Sequence, residues 1–467
     1  MTSMATTRPF RLGALLLSGI AGAGLLTACG GDDNAGGSGG DDGGAVTIRV
    51  QGLPPGTDQA GQDQFNAKIA EFEEQNPDIT IEASTNEYDP QTFSTLLAGG
   101  GVEDVIRVPL TEPQGLIQRG QVQPITQLLD EWEHADEINP QVLEPISDAD
   151  GEVYGVPRSP FALGLVYNRA LFEQAGLDPD APPATWDDVR AAAQAISSAT
   201  GAAGFVHESK DGTGGWQLTM MTYAHGGELE RPDGDTYVAD FQNDAVRDSL
   251  QLLKEMRWTD QSMGESQLLN QDDVIRQFAA GQVGMFMGTP GTYRLAKQNF
   301  GMEDTADYGV TSMPQAGGDA TMSGGEIFMV PASVPEDRAA AAVKWMVFYY
   351  AEPQYDPEVA AAEAEALAQD PAAAVGVPTL PMFDEAQQQL INEAIAPFVN
   401  VELENFQPYL TGTPELELKP EPPLNAQALY QVLDPVVQAV LTDPDADIDA
   451  LLASAEDEAN RQLAAAR

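Results

Sequence analysis

The first part of the chain beyond residue 45 alternates strand-like and helix-like hydrophobic patterns. Residues 46–50 alternate apolar and polar side chains, which is the period of a half-buried strand. Phe65, Ile69 and Phe72 then follow at spacings of four and three residues, on one face of a helix that ends before Pro77. The pattern predicts a strand followed by a helix.

The same alternation continues along most of the chain. A Thr185-x-x-Asp188 pattern resembles a capping box at the start of one helix, and beyond Pro353 the sequence becomes alanine-rich and helical. Strands alternating with helices predict an α/β protein with mostly parallel sheets, here in two domains. The later segments with strand or helix periodicity are at residues 79–81, 93–97, 105–108, 163–167, 189–196, 246–253, 283–287, 429–440 and 451–459.

The first thirty residues have the layout of a secretory signal. Arg8 and Arg11 precede an apolar stretch at residues 12–26, which is short for a bilayer span. The sequence Leu-Thr-Ala-Cys that ends at Cys29 looks like a bacterial lipobox, and Cys29 is the only cysteine of the chain. We expect a signal peptide at residues 1–28, lipidation of Cys29, and attachment to the outer face of a bacterial cell membrane. A buried, unreactive thiol is the alternative.

Composition narrows the class of protein further. Residues 29–44 contain almost only Gly, Asp, Ser, Asn and Ala, which predicts a flexible tether. The remaining body exceeds the usual size of one hydrophobic core, so two domains are expected. The net charge of −51 excludes nucleic acid as a partner. Either adaptation to high salt or a codon bias toward Ala, Asp and Glu explains this charge.

Several motifs occur in an order that resembles a known family. Residues 65–108 carry FEEQNPDI and GGGVEDVI; the segments GEVYGVPR, LVYNRALFEQAGL and PATWDD follow in order. Together with FAAGQVGMFMG and SGGE, they are similar to the pattern of family 1 extracellular solute-binding proteins, the maltose-binding-protein-like components of carbohydrate ABC transporters. The segment at residues 352–381 and the C-terminal stretch match this pattern least. The last five motifs occupy residues 151–158, 165–177, 183–188, 278–288 and 323–326.

The resemblance implies an α/β, two-lobed periplasmic-binding-protein type II fold, with two mixed sheets flanked by helices and a hinged cleft between the lobes. It implies that a sugar is captured by hinge closure and delivered to the permease of an ABC importer, by a monomer without cofactor. Alternatives are a non-sugar solute, a role as a solute sensor, and a secreted glycosidase. The expected lobes are residues 45–156 with 319–351, and residues 157–318 with 352–467.

Candidate ligand-binding residues combine aromatic faces with polar groups, as sugars require. Trp216, after two glycines at a helix start, is the first candidate, and Gln217 follows it; the alternative for Trp216 is a place in the core. Trp186, Trp258 and Trp345 fit core packing better because they lie on helix-like faces. The other candidates are Arg158, Ser159 and Phe161 at a lobe crossing, Gly324, Gly325 and Glu326, Thr289 and Tyr293, and Asp58 and Glu112.

The sequence gives little support for catalysis or metal binding. His134, His207 and His225 are far apart, there is no second cysteine, and no phosphate-binding loop occurs. Residues 443–449 superficially resemble a calcium loop, but the expected glycine is Ile448, and helix capping explains the acidic residues better. We therefore expect a binding protein that is not an enzyme and that has no metal site.

Overall fold

The computed structural model describes residues 45–56, 59–89, 92–110, 112–234, 236–370 and 372–465. The predicted strand at residues 46–50 and the helix that follows it are both present. The strands are β1 Val46–Gln51, β2 Ile79–Ser84, β3 Ile106–Pro109, β4 Gly155–Ala162, β5 Gly164–Asn168, β6 Glu230–Asp233, β7 Thr236–Ala239, β8 Met285–Gly288, β9 Tyr308–Ser312, β10 Ala320–Met329 and β11 Glu417–Lys419.

Helices fill most of the intervals between the strands. None of the helices in the described ranges is long and apolar enough to cross a membrane. They are α1 Gln59–Gln75, α2 Phe93–Ala98, α3 Pro113–Gln118, α4 Thr126–Leu129, α5 Pro140–Leu143, α6 Arg169–Gln174, α7 Trp186–Thr200, α8 Thr213–Ala224, α9 Asp244–Lys254, α10 Gln271–Ala279, α11 Thr292–Gln298, α12 Glu336–Met346, α13 Glu352–Tyr355, α14 Pro357–Leu367, α15 Glu385–Ile395, α16 Gln407–Gly412, α17 Ala426–Thr442 and α18 Ile448–Ala465.

The predicted cap of α7 is present. The Thr185 hydroxyl accepts a hydrogen bond from the backbone N–H of Asp188 at 3.2 Å, and so satisfies one of the free N–H groups at the helix start. The helix ends at Gly201, whose φ of 76° suits a residue without a side chain. The face that carries Val189, Ala193 and Ile196 is buried, as the spacing of these residues predicts.

The sheets are mixed, as the family resemblance implies. Strands β1 and β2 pair in parallel, as do β10 and β11. Strand β10 pairs antiparallel with β3 and β4, and β5 pairs antiparallel with β8 and β9. The expectation of mostly parallel sheets is therefore wrong. Hydrophobic periodicity identifies a strand but does not specify the direction of its neighbour.

Two large hydrophobic cores organise these elements. The first contains Val50, Val108 and Trp345 among the buried residues of β1, β3 and α12. The second contains Trp186 among residues of β5, α7, α8, α17 and α18. Trp258 is half-buried and donates its indole N–H to the carbonyl of Val440 at 2.9 Å. Trp186 and Trp345 are therefore buried in the cores as predicted, whereas Trp258 lies outside these clusters and is not a core residue.

Paired strands β4 and β10 connect the two cores. Val156 and Ile327 lie in the first core, whereas Met322 lies in the second. The pairing is irregular between Gly324 and Glu326, where the register shifts. A β-bulge of this kind changes the direction of a strand, and here it lies between the two cores.

The segment at residues 374–383 contacts more than one hydrophobic core. Met382 and Phe383 pack in the first core, although the sequence prediction assigns residues 352–467 to the second lobe. Phe383 contacts the ring of Trp132 with centroids 6.0 Å apart. Shortly before them, Ala374 belongs to a third, smaller core around β9 and α16. Alanine-rich helices carry little information on which core they cover, so the sequence does not specify this path.

Candidate functional site

A recess lies beside the bulge of β10, at the crossing between the cores. It is lined by Arg158 from β4 and by three consecutive β10 residues, Gly324, Gly325 and Glu326. The ring of Phe161 lies over Gly324, where a Cβ atom added to the glycine would come within 2.6 Å of the ring. A larger residue at this position would require the ring to shift. Four of the predicted site residues are thus brought together in one recess, with Phe161 packed against it.

Glu326 lies between two arginines in this recess. Its carboxylate is 3.3 Å from the guanidinium of Arg107 and 3.6 Å from that of Arg158. The Arg158 guanidinium also lies 5.6 Å from the ring centroid of Tyr350, within range of a cation–π contact. Glu326 therefore has two cationic neighbours, and Arg158 shares its carboxylate partner with Arg107.

Trp216 lies near the start of α8, where close packing holds the helix. A side chain at Gly215 would come within 2.5 Å of the backbone of Tyr430 in α17, so the glycine before Trp216 permits this approach. The indole remains partly exposed, and its N–H donates to Glu421 Oε1 at 3.0 Å. Trp216 is therefore oriented by a carboxylate on a segment far away in sequence.

Glu421 is a site residue that the sequence analysis missed. Burial raises its pKa to about 7, the hydrogen bond from Trp216 opposes that rise, and the nearby charge of Glu112 adds to it. Its Oε2 atom is buried, and the neighbouring Tyr430 hydroxyl also lowers the pKa. Glu421 occurs in a stretch rich in proline and glutamate, with no periodicity that could have indicated its position.

Glu112 lies between β3 and α3. Its carboxylate accepts a hydrogen bond from the Tyr88 hydroxyl at 2.9 Å. Burial raises the pKa of Glu112, although this hydrogen bond and the charge of Arg119 act against the rise. Since Glu112 follows a strand of the first core and Trp216 and Glu421 pack on the second, their proximity brings both sides of the site together.

Arg294, in α11, was not among the predicted site residues, and it does not line the recess beside the bulge. Its side chain is exposed, although desolvation first and the charge of Arg158 second lower the pKa of its guanidinium. Arg294 is therefore not assigned to the site.

Two predicted ligand-binding residues, Gln217 and Tyr293, have side chains that point into the protein interior. Gln217 is fully buried, accepts from the backbone N–H of Glu208 at 2.9 Å and donates to the carbonyl of Met287 at 3.4 Å. Tyr293 is 1% exposed, and its hydroxyl bonds Glu402 at 3.3 Å. We leave both out of the proposed ligand contacts, because their polar groups are already bonded inside the protein.

The other predicted ligand-binding residues lie in different parts of the structure. Thr289 is partly exposed, and its carbonyl accepts from the Tyr308 hydroxyl at 2.8 Å. Ser159 lies in β4, next to Arg158. Asp58 and Cys29 lie outside the described residues, as do the predicted signal peptide and the whole of the predicted tether.

The described part of the chain holds no group of three or more His, Cys, Asp or Glu residues arranged for a metal ion. His207 is buried, and burial lowers its pKa to about 4. The acidic run before α18 caps backbone groups: Asp447 accepts from the N–H of Ala450 at 3.1 Å, and Asp443 from that of Asp445 at 2.9 Å. The interpretation of these residues as helix caps is confirmed.

The structure has two cores joined by paired strands, and arginines, carboxylates and a partly exposed tryptophan lie between these cores. This arrangement defines a two-lobed solute-binding protein of the periplasmic type II fold. The family model described as "bacterial extracellular solute-binding protein" matches residues 56–356. The chain belongs to this family, whose members are binding proteins and not enzymes.

Individual relatives agree with this assignment. A binding protein of Brucella abortus is 26% identical over 251 residues, which cover 52% of this chain and 57% of that protein. The arabinooligosaccharide-binding protein of Halalkalibacterium halodurans is 28% identical over 152 residues, covering 30% of this chain and 33% of that protein. The chain thus aligns with 57% of the length of the Brucella protein and with 33% of the length of the Halalkalibacterium protein.

Solved structures extend the similarity to nearly the whole chain. An ABC transporter solute-binding protein from Thermotoga lettingae, bound with α-D-tagatose, matches with a TM-score of 0.67 at 21% sequence identity. The match covers 90% of this chain and 100% of that one. At this identity the likeness establishes the shared two-lobed fold.

Proposed function

We propose that this protein is the substrate-binding component of an ABC importer and that it captures a sugar outside the cytoplasm. The observation that carries the proposal is the position of Trp216, whose ring is partly exposed and whose indole N–H is bonded to Glu421. An aromatic face beside hydrogen-bonding carboxyl groups suits the apolar side and the hydroxyls of a sugar ring. The sugars named for the Halalkalibacterium and Thermotoga relatives support this solute class.

The proposed mechanism is closure of two lobes around the solute. The lobes follow the two cores, with β4 and β10 as crossings, so bending at the β10 bulge would bring Glu112 and Trp216 onto opposite sides of one ligand. A closed lobe pair would then be recognised by the permease. We propose a monomer, because one bilobed body suffices for this mechanism.

We further propose that lipid on Cys29 holds the protein at the outer face of the membrane, with residues 29–44 as the tether. The lipobox-like sequence and the composition of this segment support the proposal. Mass spectrometry of the membrane-bound protein should find a diacylglyceryl group on Cys29. Replacement of Cys29 by Ser should release the protein into the soluble fraction; a Cys29→Ser protein that stays membrane-bound would contradict lipid anchoring.

Calorimetry with a panel of neutral mono- and oligosaccharides tests the transport function. We expect saturable binding of one sugar, recovered unchanged after incubation, and an affinity at least tenfold lower in Trp216→Ala. Trp258→Phe is the matched control, since Trp258 packs against α17 and bonds Val440. Equal affinity in wild type and Trp216→Ala would remove Trp216 from the site, and hydrolysis of the sugar would favour a glycosidase.

A further inference from the structure

The segment that leads from the end of β11 to α17, residues 418–424, is conformationally restricted by proline. Its sequence, LKPEPPL, has prolines at positions 420, 422 and 423. A proline ring fixes its own φ angle and also restricts the residue before it, so Lys419 and Glu421 lose much of their backbone freedom. We call residues 418–424 the strap. Because the strap is stiff, a displacement at one end is passed along it instead of being absorbed by backbone rotation.

The first end of the strap lies at the bulge of β10. Strand β11 pairs in parallel with residues 320–322 of β10, directly before the register shift. The next β10 residue, Ser323, donates its hydroxyl to the carbonyl of Lys419 at 3.2 Å. Leu418 lines the recess beside the bulge, as does Leu110, which packs against the first core. The strap therefore begins where the crossing strand changes direction.

The middle of the strap is bonded to α8, the helix that carries Trp216. Glu421 Oε1 accepts the indole N–H of Trp216 at 3.0 Å. Tyr223, also in α8, donates its hydroxyl to the carbonyl of Pro420 at 3.0 Å. A shift of the strap therefore moves the hydrogen-bond partner of the Trp216 ring.

The two ends of the strap are held differently. At the far end, the backbone N–H of Leu424 donates to Glu230 at 3.0 Å, and Glu230 is buried. Nearer the bulge, Lys419 pairs with Glu228 at 2.5 Å, but the Glu228 side chain is 48% exposed. Exposed ion pairs contribute little to stability. Glu421 thus lies between a firmly held end and a more weakly held end at the bulge.

We propose that the strap makes the position of the Trp216 ring depend on the hinge, with Leu418 and Ser323 as positioning residues at the bulge and Glu421 as the contact with the indole. Residues on both sides of the bulge line the recess, so bending of β10 there changes the space around Leu418. The inference rests on the proposed function: closure of the lobes would turn Trp216 toward the solute. By linkage, a solute bound at Trp216 would favour the closed hinge.

Fluorine NMR tests this coupling without a ligand. Labelling of the purified full-length protein with fluorotryptophan gives a ¹⁹F signal for each of the five tryptophans, and Trp216→Phe assigns the signal of Trp216. We expect Leu418→Ala and Ser323→Ala each to shift this signal by more than its linewidth. Leu410→Ala in α16 and Ser197→Ala in α7, whose hydroxyl also donates to a backbone carbonyl, are the matched controls and should leave it in place.

Two background variants show whether the effect travels along the strap. Glu421→Ala removes the acceptor of the indole N–H, and Pro420→Gly frees the backbone between Leu418 and Glu421. In either background, Leu418→Ala should no longer shift the Trp216 signal. Pro444→Gly, in an exposed turn before α18, is the control background and should preserve the shift. A shift that persists in both strap variants overturns the strap as the route.

Sugar binding provides the second measurement. A sugar that binds the wild type should bind Leu418→Ala about fivefold or more weakly, the range of typical coupling between sites, and this difference should disappear in the Pro420→Gly background. Equal affinities of wild type and Leu418→Ala would overturn the coupling to closure.

The outcomes distinguish the strap from the sugar-binding function. An unchanged Trp216 signal in both Leu418→Ala and Ser323→Ala overturns the strap, whether or not a sugar binds. A shift that requires Glu421 and Pro420, with no sugar of the panel bound, supports the strap and counts against the sugar assignment alone.

Discussion

Trp216 donates its indole N–H to Glu421 Oε1 at 3.0 Å, across 205 residues of sequence. The bond fixes the partly exposed ring of α8 to the segment that leads into α17. This bond and the neighbouring Tyr430 hydroxyl favour the ionised form of a carboxyl group that is otherwise largely desolvated. The orientation of the proposed sugar platform and the state of Glu421 therefore depend on each other.

The coupling between Trp216 and Glu421 should be measurable as a change in stability. Trp216→Phe keeps an aromatic ring but leaves Glu421 Oε1 without its donor, which should lower the free energy of unfolding by about 1–3 kcal/mol. Glu421→Gln should cost less, since an amide oxygen still accepts the bond. Urea denaturation of both single variants and the double variant should show non-additive effects of at least about 0.5 kcal/mol; strict additivity would mean that the two side chains act independently.

Stability should fall as the pH rises from about 5 to 8.5. Burial raises the pKa of Glu208 to about 8 and those of Glu230 and Glu421 to about 7, each from an ordinary value of 4.5. A carboxyl group with a raised pKa in the folded state stabilises fully below its unfolded pKa, and this contribution is lost as the pH rises through the folded pKa. Melting temperatures across this range, measured at constant ionic strength, check the prediction.

Glu208→Gln should reduce the dependence of stability on pH. Both oxygens of Glu208 are buried, and desolvation outweighs the hydrogen bond from Thr213 that favours the ionised form, so ionisation is costly there. We expect the variant to exceed wild type at pH 8.5 by about 2 kcal/mol in the free energy of unfolding, with a smaller difference at pH 5. The exposed residue Glu133 offers a control, since Glu133→Gln should leave the pH profile unchanged. A profile for Glu208→Gln that parallels wild type would show that this group does not titrate in the range.

The contact between Gly324 and Phe161 should tolerate no added carbon. In Gly324→Ala the new Cβ would come within 2.6 Å of the Phe161 ring, which should lower the free energy of unfolding by about 1–3 kcal/mol. Phe161→Leu should partly relieve the effect in the double variant. Gly56→Ala is the control, because no atom lies within 4 Å of the position that its Cβ would occupy. Thermal denaturation of the four variants measures each effect.

The ion pair of Arg190 should stabilise the second core. Arg190 bonds Asp260 at 2.5 Å and also contacts Glu255, and its hydrogen bond is the first cause of the lowered pKa of Asp260. The Asp260 side chain is 6% exposed, so Arg190→Met would leave a nearly buried carboxylate without its cation. We expect a loss of about 3 kcal/mol in chemical denaturation. Arg276→Met, which removes an exposed pair with Asp273, should change stability by less than about 0.5 kcal/mol.

Local features of the fold followed from the sequence. The strand at residues 46–50, the buried face of α7 and the Thr185 cap depend on the spacing of neighbouring residues, which the sequence displays directly. The ordered motifs indicated the family, and a family model confirms that assignment. Trp186 and Trp345 were predicted to be in the core for the same reason, since they lie on helix faces with other apolar residues.

Within the candidate site, the sequence was informative at positions where the local backbone requires one particular residue type. Gly324 and Gly325 suggested a close backbone approach, and the structure has a bulge and a packed ring there. Gln217 was grouped with Trp216 because the two are adjacent. Only the structure shows that one side chain is partly exposed and the other fully buried.

The sequence by itself determined the class of elements, their caps, the family and the strongly acidic balance of the chain, because each depends on composition or on residues close together. The tertiary structure decided that Glu421 reaches Trp216, that Glu326 lies between Arg107 and Arg158, and that Phe161 packs over Gly324. These contacts join segments with no shared period or motif. Their positions depend on where distant helices and strands pack, and that packing is set by the two hydrophobic cores as a whole.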